Sequence, residues 1–192
     1  MVRGWVVKAG IFVAGAVNRA FPFIPTEAVY YAIPFAFGPM MVAFLIMRKL
    51  SLLFAVFTSV LASFLFDSLI SMTLYALLGS IVGSYYIAHC RQRSSFLRAG
   101  FLLGIVNVAI ILCLGLLEGS LSDMAILAKL AMGFLGGLLS GIFVAGISPL
   151  FESVFPYTTD IKLLELANLN QPIFQRMIIE APGTYHHSVV LG

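Results

Sequence analysis

The stretch from Met124 to Leu150, MAILAKLAMGFLGGLLSGIFVAGISPL, decides how this chain folds. Its only charged residue is Lys129, and a helix needs about 20 apolar residues to cross a bilayer. The stretch is therefore predicted to be a membrane span. Four small residues recur at every fourth position along it: Gly133, Gly137, Gly141 and Ala145. Because this spacing lets helix backbones approach closely, we predict packing against a neighbouring helix of the same chain rather than a dimer seam.

The rest of the chain has a similar composition. The 192 residues are 61% hydrophobic and 10% charged, and the mean hydropathy is +1.06. A soluble domain carries about 25% charged residues, so most of this protein is expected to be surrounded by lipid. Cys90 and Cys113 lie in or beside apolar stretches and are predicted to be small buried residues, without a disulfide or a metal role.

Six apolar runs are predicted to form an all-α polytopic membrane bundle. We interpret the first run as a span rather than a signal peptide, because no clear small-residue cleavage site follows it. The apolar stretch 50–87 is too long for one helix, and Asp67 and Ser68 divide it into two spans. The predicted spans are about 5–21, 27–47, 50–66, 69–87, 99–117 and 124–150.

The positive charges predict the orientation of this bundle, because cytoplasmic loops carry an excess of lysine and arginine. One set of loops contains Arg3, Arg48, Lys49, Arg91, Arg93 and Arg98. The opposite loops contain Glu27, Asp67, Glu118 and Asp123, with Arg19 as the only clear cation. We therefore predict a multi-pass protein of the cell membrane with both termini in the cytoplasm.

Polar and aromatic residues near the span ends allow two interpretations. Lys129 lies about one turn inside the sixth span, where it either reaches the nearby headgroups or serves an ion path or a ligand. The short distance to the interface favours the first interpretation. The aromatic residues near the predicted span ends are typical of an interfacial belt rather than of a ligand cage: Trp5, Tyr30, Tyr31, Tyr85 and Tyr86.

The sequence becomes more polar after residue 150. We predict a membrane bundle over 1–150 and a cytoplasmic linker with short helices over 151–192. A hydroxyl cap and an acidic first turn predict one helix from Thr158. Pro172 suits the first position of a second helix, and Thr184 can cap a third.

His186 and His187 open the third predicted helix. Consecutive helical residues point about 100° apart, so the two side chains are not expected to serve one site equally. Neutral imidazole is the commonest metal ligand, but a hydrolytic metal site needs several ligands around an activated water. No histidine or carboxylate follows in this chain to complete such a set. From the residues alone, the pair is either structural or one part of a metal site.

Three segments of the tail resemble one bacterial family, the seven-transmembrane HD (7TM-HD) membrane phosphohydrolases. The segments are PLFESVF at 149–155, TTDIKLLEL at 158–166 and the distinctive EAPGTYHHS at 180–188. The multi-span region with arginine-rich inner loops is also similar to the family's membrane domain. The resemblance implies an N-terminal anchor, an extracellular domain, seven membrane helices and a cytoplasmic all-helical HD hydrolase domain.

The resemblance also implies an activity. Family members hydrolyse cyclic di-AMP to the linear dinucleotide pApA at a two-metal centre, usually of iron or manganese, whose metals position and activate a water. One histidine of the Tyr-His-His-Ser segment is the family's first metal ligand, and it corresponds to His187, with His186 as the second candidate. The expected partners are the lipid bilayer, cyclic di-AMP for the whole protein, an extracellular or membrane signal and a second copy of the chain, but no nucleic acid polymer.

Several departures limit what this chain is expected to do alone. It shows six predicted spans rather than seven, no extracellular domain, and neither the His-Asp pair that names the HD domain nor the later ligands. We therefore expect a membrane sensor region plus a truncated start of the HD domain, inactive by itself and without a stably bound metal. The alternatives are a small six-span transporter or substrate-binding subunit of an uptake system, which composition alone would favour, and a scaffold for other membrane proteins. The tail after Leu150 argues against the transporter subunit.

Overall fold

The computed structural model describes residues 25–66, 69–90, 92, 94–121, 125–154, 163 and 172–191. The chain divides into two compact units, Met1–Pro156 and Tyr157–Gly192. The regular elements in the described ranges are all helices, which confirms the all-α fold class.

Six helices make up the described part of the first unit. They are α1 Thr26–Tyr30, α2 Phe37–Leu45, α3 Arg48–Leu65, α4 Leu69–Ile87, α5 Ser95–Glu118 and α6 Ala125–Val154. Within the described ranges, three helices are long and apolar enough to cross a membrane, namely α4 from Ile70 onward, α5 and α6. The predicted count of six spans is not confirmed, and the first predicted span, 5–21, lies outside the described residues.

The prediction of one continuous span over 27–47 is wrong. The structure has two short helices there, and the segment 31–36 between them contains Pro34. Pro34 has no N–H to bond the carbonyl of Tyr30, and its ring clashes with the preceding turn. The Ile33 N–H bonds the Tyr30 carbonyl instead, at 3.2 Å. At 1.5 Å per residue, neither α1 nor α2 is long enough for the roughly 30 Å hydrocarbon core.

The break between the third and fourth predicted spans lies where the polar pair predicts it. Helix α3 ends at Leu65 and α4 begins at Leu69, while Asp67 and Ser68 themselves lie outside the described residues. The two helices pack together, and the buried Ser51 Oγ donates to the buried Ser84 Oγ at 2.6 Å. Large apolar side chains on the other face of α3 are exposed, as expected of a lipid-facing surface: Leu53, Phe57, Leu61 and Phe64.

Helices α5 and α6 meet through their glycines. A Cβ added to Gly137 would lie 2.3 Å from the Gly104 nitrogen, and one added to Gly100 would lie 2.8 Å from the Gly141 Cα. Real Cβ atoms do not approach this closely, so only glycine permits this backbone contact. The predicted packing against a helix of the same chain is confirmed for Gly133, Gly137 and Gly141.

The second unit contains two described helices, α7 Pro172–Glu180 and α8 Pro182–Leu191. Helix α7 begins at Pro172, as predicted. Helix α8 begins at Pro182, two residues before the predicted cap Thr184. The first helical hydrogen bond explains this earlier start, because the Tyr185 N–H donates to the Ala181 carbonyl at 3.1 Å. The helix predicted from Thr158 lies outside the described residues, except for Leu163.

Candidate functional site

The predicted metal ligands lie on α8. His186 and His187 are both exposed on this helix, and the Ser188 Oγ beside them donates to the Tyr185 carbonyl at 2.8 Å. No group of three His, Cys, Asp or Glu side chains that could hold a metal ion occurs in the part of the chain that the structure describes. The described residues therefore do not form a metal centre by themselves, and the assignment of His187 stays a prediction.

The structure places the two cysteines in different environments. Cys90, just after α4, is half-buried, and its Sγ lies 3.5 Å from the Tyr86 carbonyl. Burial raises the pKa of the Cys90 thiol, and only the thiolate is a nucleophile. Both thiols are free. Cys113 is exposed on α5, so its predicted burial is wrong.

The membrane unit contains a buried polar cluster that the sequence pattern did not reveal. Asn107 of α5 is only 4% exposed. Its Nδ2 donates to the Tyr75 Oη of α4 and to the Gly133 carbonyl of α6, both at 3.0 Å. The Tyr75 Oη in turn donates to the Tyr31 carbonyl at 2.8 Å. One amide and one phenol thus connect three helices with the interrupted segment 31–36.

The interruption after α1 provides the last acceptor of this cluster. The final carbonyls of a helix have no partner within the helix, and the Phe35 N–H bonds the Ile33 carbonyl at 2.8 Å rather than that of Tyr31. The Tyr31 carbonyl therefore takes the Tyr75 hydroxyl. Gly136 of α6 leaves room for this bond, since an added Cβ would lie 2.4 Å from the Tyr31 oxygen.

The cluster contains one residue that the sequence interpretation placed wrongly. Tyr31 was predicted for the interfacial belt, but it is 6% exposed and lies in the core. Its ring packs edge to face on Tyr75, with the ring centroids 5.0 Å apart. Asn107 carries the one signal that could have found the cluster, since a polar residue in an apolar span usually faces the bundle interior.

Lys129 makes a contact that neither sequence interpretation anticipated. Its Nζ lies 3.5 Å from the Glu27 Oε2, and the side chains are 16% and 75% exposed. The pair links α6 to α1. Because Glu27 is largely exposed, such a pair contributes at most about 1 kcal/mol to stability. On α5, Glu118 accepts a hydrogen bond from the Ser71 hydroxyl of α4.

A family profile and two well-matched relatives show which known proteins this chain is similar to. The profile of a family described as a 7TM receptor with intracellular HD hydrolase matches residues 3–159. The chain is 34% identical over 165 residues to a cyclic-di-AMP phosphodiesterase, PgpH, of Listeria monocytogenes, and 29% identical over 169 residues to PgpH of Bacillus subtilis. Each alignment covers 84% of this chain.

The coverage of these relatives is partial. The chain spans 23% of the Listeria protein and 24% of the Bacillus protein. It is also 37% identical over 68 residues to an uncharacterised protein of Synechocystis, an alignment that covers 35% of this chain and 8% of that protein. No solved structure matches the chain significantly.

Proposed function

Because the chain belongs to the family of 7TM receptors with an intracellular HD hydrolase, we propose that it is the membrane sensor and anchor region of a phosphodiesterase that hydrolyses cyclic di-AMP to pApA. The observation that carries this proposal is the similarity to two proteins named as cyclic-di-AMP phosphodiesterases, each over 84% of the chain. The alternative of a small transporter subunit is not proposed, since the family match over residues 3–159 and the two phosphodiesterase relatives favour the first interpretation.

In this proposal, His187 supplies one ligand to a two-metal centre, of manganese or iron, in an HD hydrolase domain. The exposed position of α8 supports this role, since the imidazole is free to meet ligands from other segments. The described residues do not complete a metal set, so we derive no chemical step from them. The proposed partners are the bilayer, cyclic di-AMP, an extracellular or membrane signal and a second copy of the chain.

The proposed orientation places the end of α6 in the cytoplasm. Phe44, shortly before Arg48, packs on Phe96 at the start of α5, with the ring centroids 4.9 Å apart. A Cβ added to Gly141 of α6 would lie 2.8 Å from the Phe96 carbonyl. The second half of α6 therefore runs toward the end of the bundle that carries Arg48, and positive loops favour the cytoplasm.

A fusion experiment tests this orientation. We expect green fluorescent protein to be fluorescent when fused after Val154, and alkaline phosphatase to be active when fused after Gly119, which ends α5 at the opposite end. A fluorescent protein fused after Cys90, following α4, is the matched cytoplasmic control. Active phosphatase after Val154 would contradict the proposed orientation.

The activity itself is tested by comparing two proteins. We expect manganese-dependent hydrolysis of cyclic di-AMP by a chain extended through an HD hydrolase domain, and none above background by residues 1–192. The physical reason is that one histidine cannot hold a metal pair, whereas a hydrolytic site needs several fixed ligands. Production of pApA, measured by chromatography with and without a chelator, is the readout. Equal rates in both proteins would refute the proposal.

A further inference from the structure

Two buried polar atoms near the interrupted segment have no hydrogen-bond partner within the part of the chain that the structure describes. They are the Asn107 Oδ1 and the Ser80 Oγ, on residues that are 4% and 0% exposed. An unpaired polar group in an apolar interior costs free energy comparable to a lost hydrogen bond or more. Each such group therefore calls for a partner, and in protein interiors an ordered water often fills that role.

The orientation of the Asn107 amide is fixed by its neighbours. The Gly133 carbonyl can only accept, so the amide nitrogen must face it at 3.0 Å. The same nitrogen donates to the Tyr75 Oη, whose own proton goes to the Tyr31 carbonyl. The Oδ1 is consequently an acceptor without a donor among the described residues.

A small cavity lies beside these two atoms. Its volume is about 10 Å³, and its polar walls are formed by Tyr75, Ser80, Asn107 and Ser140. That volume is about what one water molecule requires. The Ser140 Oγ donates to the Gly136 carbonyl at 2.8 Å, so its lone pairs remain available. Gly79 borders the same space, and an added Cβ there would lie 3.0 Å from the Asn107 Oδ1.

The walls of this cavity favour a neutral occupant. The described residues that line it include no Asp, Glu, Lys, Arg or His. A cation there would be an uncompensated charge in a medium of low dielectric constant, which is far more costly than a buried neutral dipole. A water molecule can donate to the Asn107 Oδ1, accept from the Ser80 hydroxyl and donate to the Ser140 Oγ.

We propose that this cavity is an intramembrane binding site for one water molecule, which bridges Asn107 of α5 and Ser80 of α4 beside the interrupted segment 31–36. The lining of the site comes from α4, α5, α6 and the segment 31–36, which the hydrogen bonds of Asn107 and Tyr75 also connect. A bound water would therefore stabilise the packing of these helices around the interrupted segment. This inference is independent of the proposed phosphodiesterase function, since it concerns the membrane unit alone.

X-ray footprinting of the purified chain in detergent tests the site directly, because radiolysis of a bound water modifies the side chains that touch it. We expect Tyr75 to be modified although it is only 3% exposed, and Ser80→Ala to lower that modification several-fold. The exposed Tyr85 is the positive control. Modification of Tyr85 without Tyr75 in the unmodified chain would overturn the proposal.

Thermal unfolding of matched serine variants gives a second readout. Ser80→Ala is expected to lower Tm by roughly 2–4 °C, because the water loses a partner. If the cavity is dry, the same change removes an unpaired hydroxyl and leaves Tm unchanged or raised. Ser59→Ala is the control, since its buried hydroxyl bonds the Val56 carbonyl of its own helix at 2.8 Å. A Tm that rises specifically with sodium would identify a cation site and overturn the neutral one.

Discussion

Replacing His187 with alanine in a protein that contains this chain and the HD hydrolase domain is expected to reduce cyclic di-AMP hydrolysis by at least roughly 100-fold. Removal of groups that merely orient metal ligands already costs 10–100-fold, and a ligand itself contributes more. The rate of pApA formation at saturating manganese, together with the bound metal per chain measured by mass spectrometry, checks this expectation. Both quantities should fall.

His186→Ala is the matched control for this prediction. The two histidines are neighbours on α8, and both side chains are exposed. Consecutive helical side chains point about 100° apart, so only one of them can face a given metal. The His186 variant is expected to keep its metal and most of its rate. The reverse pattern would move the ligand to His186, and full activity of both variants would remove this segment from the metal centre.

Replacing Gly137 with valine is expected to destabilise the membrane unit by at least about 3 kcal/mol, or to prevent its folding. Even the first added carbon would lie 2.3 Å from the Gly104 nitrogen and 2.5 Å from the Gly104 Cα. Backbone atoms cannot move aside as a flexible side chain can, so α5 and α6 must separate. The corresponding loss of Tm, measured by thermal unfolding in detergent, is on the order of 10 °C.

Gly146→Val on the same helix is the control for this substitution. An added Cβ at Gly146 meets none of the described residues within 4 Å, so the valine is expected to point into lipid or detergent and Tm should hardly change. The pair of variants separates close helix packing from any general effect of valine on α6. Similar losses of Tm in both variants would contradict the backbone contact between α5 and α6.

Local sequence signals predicted much of the membrane unit. Apolar run lengths found α5 and α6, and the polar pair at 67–68 placed the break between α3 and α4. Pro34 offered a signal for the other break, because a proline inside a helix removes a hydrogen bond and clashes with the preceding turn. The length and hydropathy of the run over 27–47 nevertheless predict one span, because neither quantity depends on a single interrupted hydrogen bond.

One of the two candidate sites could be predicted from the sequence, and the other could not. His187 could be singled out because the segment EAPGTYHHS is distinctive in sequence. The Asn107–Tyr75 cluster could not, since its bonds join α5 to residues 32 positions before and 26 positions after Asn107. The sequence also predicts Tyr31 at the membrane interface, whereas it is buried. Its burial depends on which helices surround it, and a local sequence pattern does not carry that information.

The sequence by itself determined that this chain is an all-helical membrane protein of the HD hydrolase receptor family, because span length, apolar composition and family segments are written along one stretch of chain. The tertiary structure alone decided which surfaces meet. It placed the spaced glycines of α5 against those of α6 at backbone contact, and it gathered Tyr75, Ser80 and Asn107 around a water-sized cavity. These contacts depend on how distant helices rotate and pack, because burial and hydrogen-bond satisfaction are properties of the assembled bundle.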